Sequence, residues 1–196
     1  TGGARGVTAE VAVALAEVYQ PTLVLTGRTP APAGPEPDWL KGAADEPAMK
    51  KAIADHLGAA ATPKAVGEQY AKLAAQREVA RTLARIEAAG AKAAYFAVNV
   101  ANGRQVADLL HQVQVKHGPL TAVVHGAGVL ADRRVEDLTP EQFDAVYSTK
   151  VDGLRNLLDL LAHQELKAVV LFSSSTARLG RTGQLAYAAA NEVLNK

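Results

Sequence analysis

The sequence has no cysteine among its 196 residues, which excludes disulfides, zinc–thiolate sites, iron–sulfur clusters and thiol nucleophiles together. Any redox chemistry therefore needs an organic cofactor. A dominant charge is also missing. The 21 basic residues face 20 acidic ones in no long run of one sign, so no nucleic-acid surface and no polybasic membrane patch is expected. No apolar run approaches the ~18 to 20 residues that a spanning helix needs. The chain opens on Thr1 without an initiator Met, a signal peptide or a strand before its first glycines, from which we expect an excerpt of a longer polypeptide. What is present is 48% hydrophobic residues, enough for one buried core, in a composition that fits a cytoplasmic protein binding small molecules.

Short β-branched runs alternate with helical stretches. Strands are expected at "TLVLTG" (22–27), "YFAVNV" (95–100), "TAVVHGAG" (121–128) and "KAVVLFSSS" (167–175). Helices are expected after the first glycines, at about 103–117 and at about 140–163, the last opened by Thr139, Pro140 and Gln142 as a capping box. In the first helix Val7, Val11, Leu15 and Val18 recur at helical spacing and are expected to form the stripe that packs on a sheet. This alternation predicts an α/β fold, a Rossmann-like doubly wound parallel sheet, with its first and last strands missing from the sequence. After Arg28 a segment much longer than an ordinary βα loop intervenes. It reads as a helical insertion over approximately 30–76, with a helix near 46–57 and a longer one capped by Thr62 and Pro63 that ends at Gly90. That insertion is either a surface elaboration or a contact surface for a carrier or partner.

The segment TGGARGVT before a helix can bring phosphate oxygens close to backbone N–H groups at a helix N-terminus. Thr8 stands where a third glycine would often stand, so packing there has to accommodate a side chain. At the end of the next strand an NAD site would place a carboxylate for the ribose 2′-hydroxyl, and here Gly27 is followed by Arg28. With Arg5 as a second cation and no carboxylate in sight, a 2′-phosphate is the better partner, which points to NADP.

In these residues and those that follow them, the chain resembles the short-chain dehydrogenase/reductase superfamily, specifically the ketoreductase domain of polyketide synthases. The segments "LVLTGR", "HGAGVLAD", "TKVDGLRNL", "VLFSSS" and "YAAANEVLNK" carry the likeness over almost the whole chain. The insertion followed by "REVARTL" is most similar to ketoreductases of polyunsaturated fatty acid synthases and enediyne-type iterative synthases. The resemblance implies a catalytic set of Tyr187, Ser174, Lys150 and Asn191. Lysine and asparagine are exchanged relative to ordinary short-chain dehydrogenases, as in polyketide ketoreductases. It further implies cofactor contacts from Thr1, Gly2, Gly3, Ala4, Arg5, Gly6, Val7, Gly27, Arg28, Thr29, Asn99, Val100, His125, Gly126, Ala127, Gly128, Lys150 and Tyr187. Leu130, Asp132 and Gln184 are expected on the substrate side, and no metal site is expected. Leu130 and Asp132 keep two members of the family's B-type motif, with Ala131 between them and Leu179 at the A-type tryptophan position, so a D-configured product is implied.

The residue types fit that chemistry. A phenol with a pKa near 10 donates its proton sluggishly unless a cation stabilises the developing phenolate; Lys150 is that cation. Ser174 can donate to a carbonyl oxygen as negative charge builds on it, and Asn191 is expected to orient Lys150 and a water chain. His125 is read as a positioning residue. The activity implied is NADPH-dependent reduction of a β-ketoacyl thioester carried on acyl carrier protein, among neighbouring domains of a synthase. The rivals are a free-standing dehydrogenase acting on a diffusible ketone and a non-catalytic structural domain of a megasynthase.

Overall fold

The computed structural model describes residues 1–31 and 34–196; Pro32 and Ala33 of the proline-rich loop lie outside the described residues. Strand β1 (Thr22–Gly27) pairs in parallel with β2 (Lys92–Ala97), Thr22 facing Lys92 and Gly27 facing Ala97. Strand β3 (Ala122–His125) pairs in parallel with β4 (Ala168–Leu171), Ala122 facing Ala168 and His125 facing Leu171. The two pairs meet across the start of the chain. The Thr1 nitrogen donates to the Val124 carbonyl at 2.7 Å, the Gly126 N–H donates to the Thr1 carbonyl at 3.1 Å, and the Gly2 N–H donates to the Thr26 carbonyl at 2.7 Å. Thr1 and Gly2 thus sit between β1 and β3 as a short central rung, and the strands' C-terminal ends open on the same side.

Helix α1 (Gly6–Tyr19) departs from the expected stripe. Val7 and Val18 are 74% and 69% exposed, and the buried side chains are Thr8, Ala9, Ala12, Val13 and Ala16. The reason is size. One core gathers Ala12, Val13 and Ala16 of α1, Leu25 of β1, and Val79 and Ile86 of α3 (Pro63–Ala88), and alanines on the facing side allow close approach of the backbones. Hydrophobic periodicity weighs the valines most heavily, so it selects the wrong face. Thr8 fills the space of the missing third glycine. Its partner is Gly126, where an added Cβ would lie 2.2 Å from the Thr8 hydroxyl oxygen.

The long segment after Arg28 has its own small core, with Leu40, Ala43 and Met49 packed under α2 (Glu46–Leu57) and α3. Asp45 caps α2 by accepting from the Ala48 N–H at 2.8 Å, and Thr62 caps α3 with Pro63 in its first turn. Arg77 of α3 ties the preceding loop down, donating to the Glu36 carboxylate and to the carbonyls of Leu40 and Ala43. Its guanidinium has the five donors and planar fork this requires.

Several expected boundaries move: β3 stops at His125 and β4 at Leu171, short of the expected 128 and 175. Strand β2 ends at Ala97, before Asn99, whose side chain accepts from the Ala101 N–H at 3.2 Å and turns the chain. The expected helix over 140–163 is three pieces: α5 (Pro140–Tyr147), a π-helical turn (Ser148–Asp152) and α6 (Gly153–Leu161). The Thr139–Gln142 capping box is present at the start. Helix α4 (Gly103–His117) and α6 cover β3 through Val106, Leu157 and Leu161.

Candidate active site

A cleft of about 950 Å³ lies at the C-terminal ends of the strands, where open parallel sheets bind their ligands. The glycine-rich turn forms one wall. Gly2 has φ +68° and packs so closely on the next turn that a Cβ would come within 3.0 Å of the Gly126 carbonyl, so glycine is required there twice over. Gly2, Ala4, Arg5, Gly6 and Val7 line the cleft, with Gly27, Arg28 and Thr29 after β1, Asn99 and Val100 after β2, and Gly126, Ala127 and Gly128 after β3. Of the remaining expected cofactor residues, Thr1 and Gly3 stand behind the wall. Thr1 accepts from the Ala127 N–H at 3.2 Å, and Gly3 packs on Leu25.

His125 is fully buried. Its Nε2 lies 2.9 Å from the Lys150 carbonyl, which can only accept, so Nε2 carries the proton and Nδ1 accepts from the Thr1 hydroxyl at 2.9 Å. Burial above all, with the positive charge of Lys150 adding to it, pushes its pKa down to about 4, against the bond to the Lys150 carbonyl. The neutral imidazole thus links the Thr1 hydroxyl to the Lys150 backbone.

Lys150 lies in the π-helical turn, 3% exposed. Its Nζ donates to the Phe172 carbonyl at 2.7 Å and stands 5.9 Å from the centre of the Tyr187 ring. Burial lowers its pKa from the ordinary lysine value. Tyr187 comes from the first turn of helix α8 (Leu185–Leu194) and lines the cleft with Lys150. The structure therefore brings the expected acid and cation together. It places the other two members differently. Asn191 is fully buried, but its Nδ2 donates to the Tyr187 carbonyl at 2.7 Å and its Oδ1 has no hydrogen-bond partner among the described residues; the group oriented on Lys150 Nζ is the Phe172 carbonyl. The Ser174 hydroxyl accepts from the Thr176 N–H at 3.2 Å, whereas the cleft is lined by Ser173, which donates to the Asn191 carbonyl at 3.1 Å.

On the substrate side Leu130 lines the cleft at 62% exposure. Asp132 and Gln184 instead bond to each other, Gln184 Nε2 donating to Asp132 Oδ2 at 3.0 Å; among the described residues neither lines the cleft. Leu179 in the short helix α7 (Thr176–Leu179) is 84% exposed.

The end of the cleft beside Arg5 and Arg28 does contain a carboxylate, supplied by a helix and not by the end of the strand. Glu78 of α3 accepts from Arg5 Nε at 2.8 Å and from the Gly6 N–H at 2.8 Å. Burial pulls its pKa up, but the bonds from Arg5 and Gly6 and the charges of Arg5 and Arg81 outweigh this and hold it below the usual carboxylate range. Lys72 of α3 and Tyr95 of β2, which donates to the Thr29 carbonyl at 2.7 Å, also line this end. None of the three is singled out in the sequence as a site residue, because each stands far from the glycines; Glu78 lies within REVARTL and Tyr95 opens an expected strand, but neither segment says where its side chain packs. The available signal is the length of the insertion, whose last helix has to pack somewhere near α1.

Two parallel strand pairs bridged by a glycine-rich turn, with a Tyr–Lys pair and a cleft at the strand ends, define a short-chain dehydrogenase/reductase fold. The KR domain family model matches residues 1–196, and the chain belongs to that ketoreductase family. It is 37% identical over 206 residues to a polyunsaturated fatty acid synthase polypeptide of Thraustochytrium sp., an alignment covering 100% of this chain and 7% of that protein. Among solved structures, an N-terminal ketoreductase from the macrolactin assembly line superposes with a TM-score of 0.72 at 26% identity, over 97% of this chain and 30% of that one. A-type ketoreductases from a modular polyketide synthase give 0.69 at 34% identity, over 100% and 32%. The chain thus spans a small part of its curated relative and about a third of these solved chains.

The fold of this family implies a nicotinamide cofactor. The residues present fit one: the cleft has room for it, the close approach of Gly2 to Gly126 forms a wall a side chain would obstruct, and Arg28 and Lys72 line it without an ion pair among the described residues.

Proposed function

We propose that this domain reduces a β-ketoacyl thioester carried on acyl carrier protein to the β-hydroxyacyl form, with NADPH, within a multidomain synthase of polyketide or polyunsaturated fatty acid biosynthesis. The observation that carries the reading is the juxtaposition of Tyr187 with a buried, carbonyl-anchored Lys150 at one end of a cleft whose other end holds Arg5 and Arg28. When bound, the reduced nicotinamide supplies hydride to the ketone carbon. Tyr187 supplies the proton to the ketone oxygen, and Lys150 stabilises the phenolate left behind. Burial strengthens this effect, since a cation at low dielectric acts on a nearby developing charge with little screening. His125 and the Phe172 carbonyl hold Lys150 from its backbone and its ammonium respectively.

Ser174 is the proposed hydrogen-bond donor to the ketone oxygen, after exchange of its bond from the Thr176 N–H for one to substrate. Asn191, through the Tyr187 carbonyl, fixes the turn of α8 that aims the phenol. Gly2, Gly126, Ala127 and Gly128 would hold the pyrophosphate and ribose, Asn99 and Val100 the adenine, and Arg28 with Arg5 and the Gly6 amide the 2′-phosphate. Residues 30–76 are proposed to be an insertion in this domain. The test is NADPH consumption with a short β-ketoacyl thioester. Wild type should turn over, and Tyr187→Phe should bind NADPH normally while losing on the order of 10³ in kcat. A Tyr187→Phe protein with most of its turnover would reject the assignment.

A further inference from the structure

The cleft has four cationic side chains in its wall, Arg5, Arg28, Lys72 and Lys150, and Glu78 is the one acidic side chain among its described lining residues. That single carboxylate is placed on the groups best suited to a phosphate. One oxygen takes Arg5 Nε and the other takes the first amide of α1, each at 2.8 Å. A carboxylate and a phosphate monoester compete for the same donors, since both accept paired, charge-assisted bonds from a guanidinium. The contact is also built to let go. The Arg5 and Glu78 side chains are 51% and 40% exposed, where an ion pair is weak. Arg81, on the same helix, acts on the Glu78 carboxyl electrostatically and makes no ion pair of its own among the described residues, so a displaced carboxylate has another cation to turn to. The backbone of α3 need not follow, because Thr82 anchors it by donating to the Ala4 carbonyl at 3.0 Å.

We propose that Glu78 is an internal competitor for the 2′-phosphate of the cofactor: it occupies Arg5 and the Gly6 amide in the free protein, must be displaced when NADPH binds, and so sets how strongly NADPH is preferred over NADH. This rests on the NADPH reading above and adds to it a discriminating residue supplied by α3. NADH has no 2′-phosphate and leaves the pair in place.

The experiment is equilibrium titration of the purified protein with NADPH, NADH and adenosine 2′,5′-bisphosphate, in wild type, Glu78→Gln, Arg5→Ala and the double variant. Glu78→Gln should tighten NADPH and the bisphosphate about three- to fivefold, the scale of an exposed ion pair, with NADH unchanged. The gain should vanish in the Arg5→Ala background. Unchanged or weaker NADPH binding in Glu78→Gln overturns the proposal, as does equal tightening of NADH, which would place the competition at the pyrophosphate. Weaker NADH alone would make Glu78 a ribose-hydroxyl ligand and also overturn it. The two readings fail separately. If wild type binds both nucleotides equally but Glu78→Gln selects NADPH, the preference assumed for the wild type is wrong and the competition stands.

Discussion

At the β1–β2 end of the cleft the charges are exposed: Arg5 is met by Glu78, while Arg28 and Lys72 make no ion pair among the described residues, and on the outer surface Arg85 meets Glu10 at 2.6 Å. At the β3–β4 end, Lys150 is 3% exposed and bonded to a carbonyl, beside a fully buried His125. Exposed pairs are screened and worth about 1 kcal/mol or less, so the first end can grade affinity between similar cofactors. Buried polar groups act at low dielectric and cost several kcal/mol when left without partners. The second end is therefore suited to an all-or-none step such as proton transfer. The same fold separates adjustable recognition from rigid chemistry by how far each charge sits from water.

The largest effect that would test this contrast is at Lys150. Lys150→Ala should lower kcat by on the order of 10³ and weaken NADPH binding as well, measured by steady-state turnover and nucleotide titration; a loss confined to binding would make the lysine a cofactor strap rather than an electrostatic partner of Tyr187. Next comes the choice between adjacent serines. Ser174→Ala should reduce kcat by about 10², the scale of one transition-state donor, and Ser173→Ala only a few-fold; the reverse order would show that the side chain already facing the cleft does the work.

His125 gives a pH signature. Its folded pKa is depressed to about 4 from the ordinary 6.5, so between those values the unfolded chain binds the proton and the folded chain does not. Stability is lost as pH falls through that window, by about 2 kcal/mol between pH 7 and pH 5. Denaturant titrations should show this slope, and His125→Asn should flatten it. A wild-type protein equally stable at both pH values would mean that the imidazole is not held neutral. The smallest of these effects is at Arg28. Arg28→Ala should weaken NADPH about tenfold, near the low end of a charged hydrogen bond, and NADH hardly at all, with the difference shrinking in high salt.

These residues also divide what the sequence reveals from what it hides. Strand β1, helix α4, the caps at Thr62 and Thr139, and the approach of Tyr187 to Lys150 follow from local signals: β-branched runs, capping chemistry and motif spacing. Glu78 and Lys72 do not, because their place depends on how α3 packs against α1, a contact between segments some seventy residues apart. The inward face of α1 is hidden for a related reason: apolar periodicity cannot tell that a neighbouring helix comes close enough to require alanine. The serine and asparagine roles depend on side-chain hydrogen bonds, Ser174 to Thr176 and Asn191 to Tyr187, and spacing alone does not choose among the possible partners.

The π-helical turn at Ser148–Asp152 acts as a phase adjuster in the long helical rod from Pro140 to Leu161. A π turn carries one residue more than the α geometry would use, and each α-helical residue advances the rod by about 100°. The bulge therefore lets the rod point Val146 into the core before it and Leu157 and Leu161 into the core after it, while Lys150 faces the cleft between them. Removing one residue from this turn would relax it to plain α-helix and leave α5 and α6 in phase, but would take away the bulge that carries Lys150. Removing one from α6 would instead rotate everything after the deletion by about 100° and swing Leu161 toward water. A length change that is harmless in a loop is here a change of gear, so the spacing from Lys150 to Leu157 and Leu161 is fixed more tightly than the identities of the residues between them.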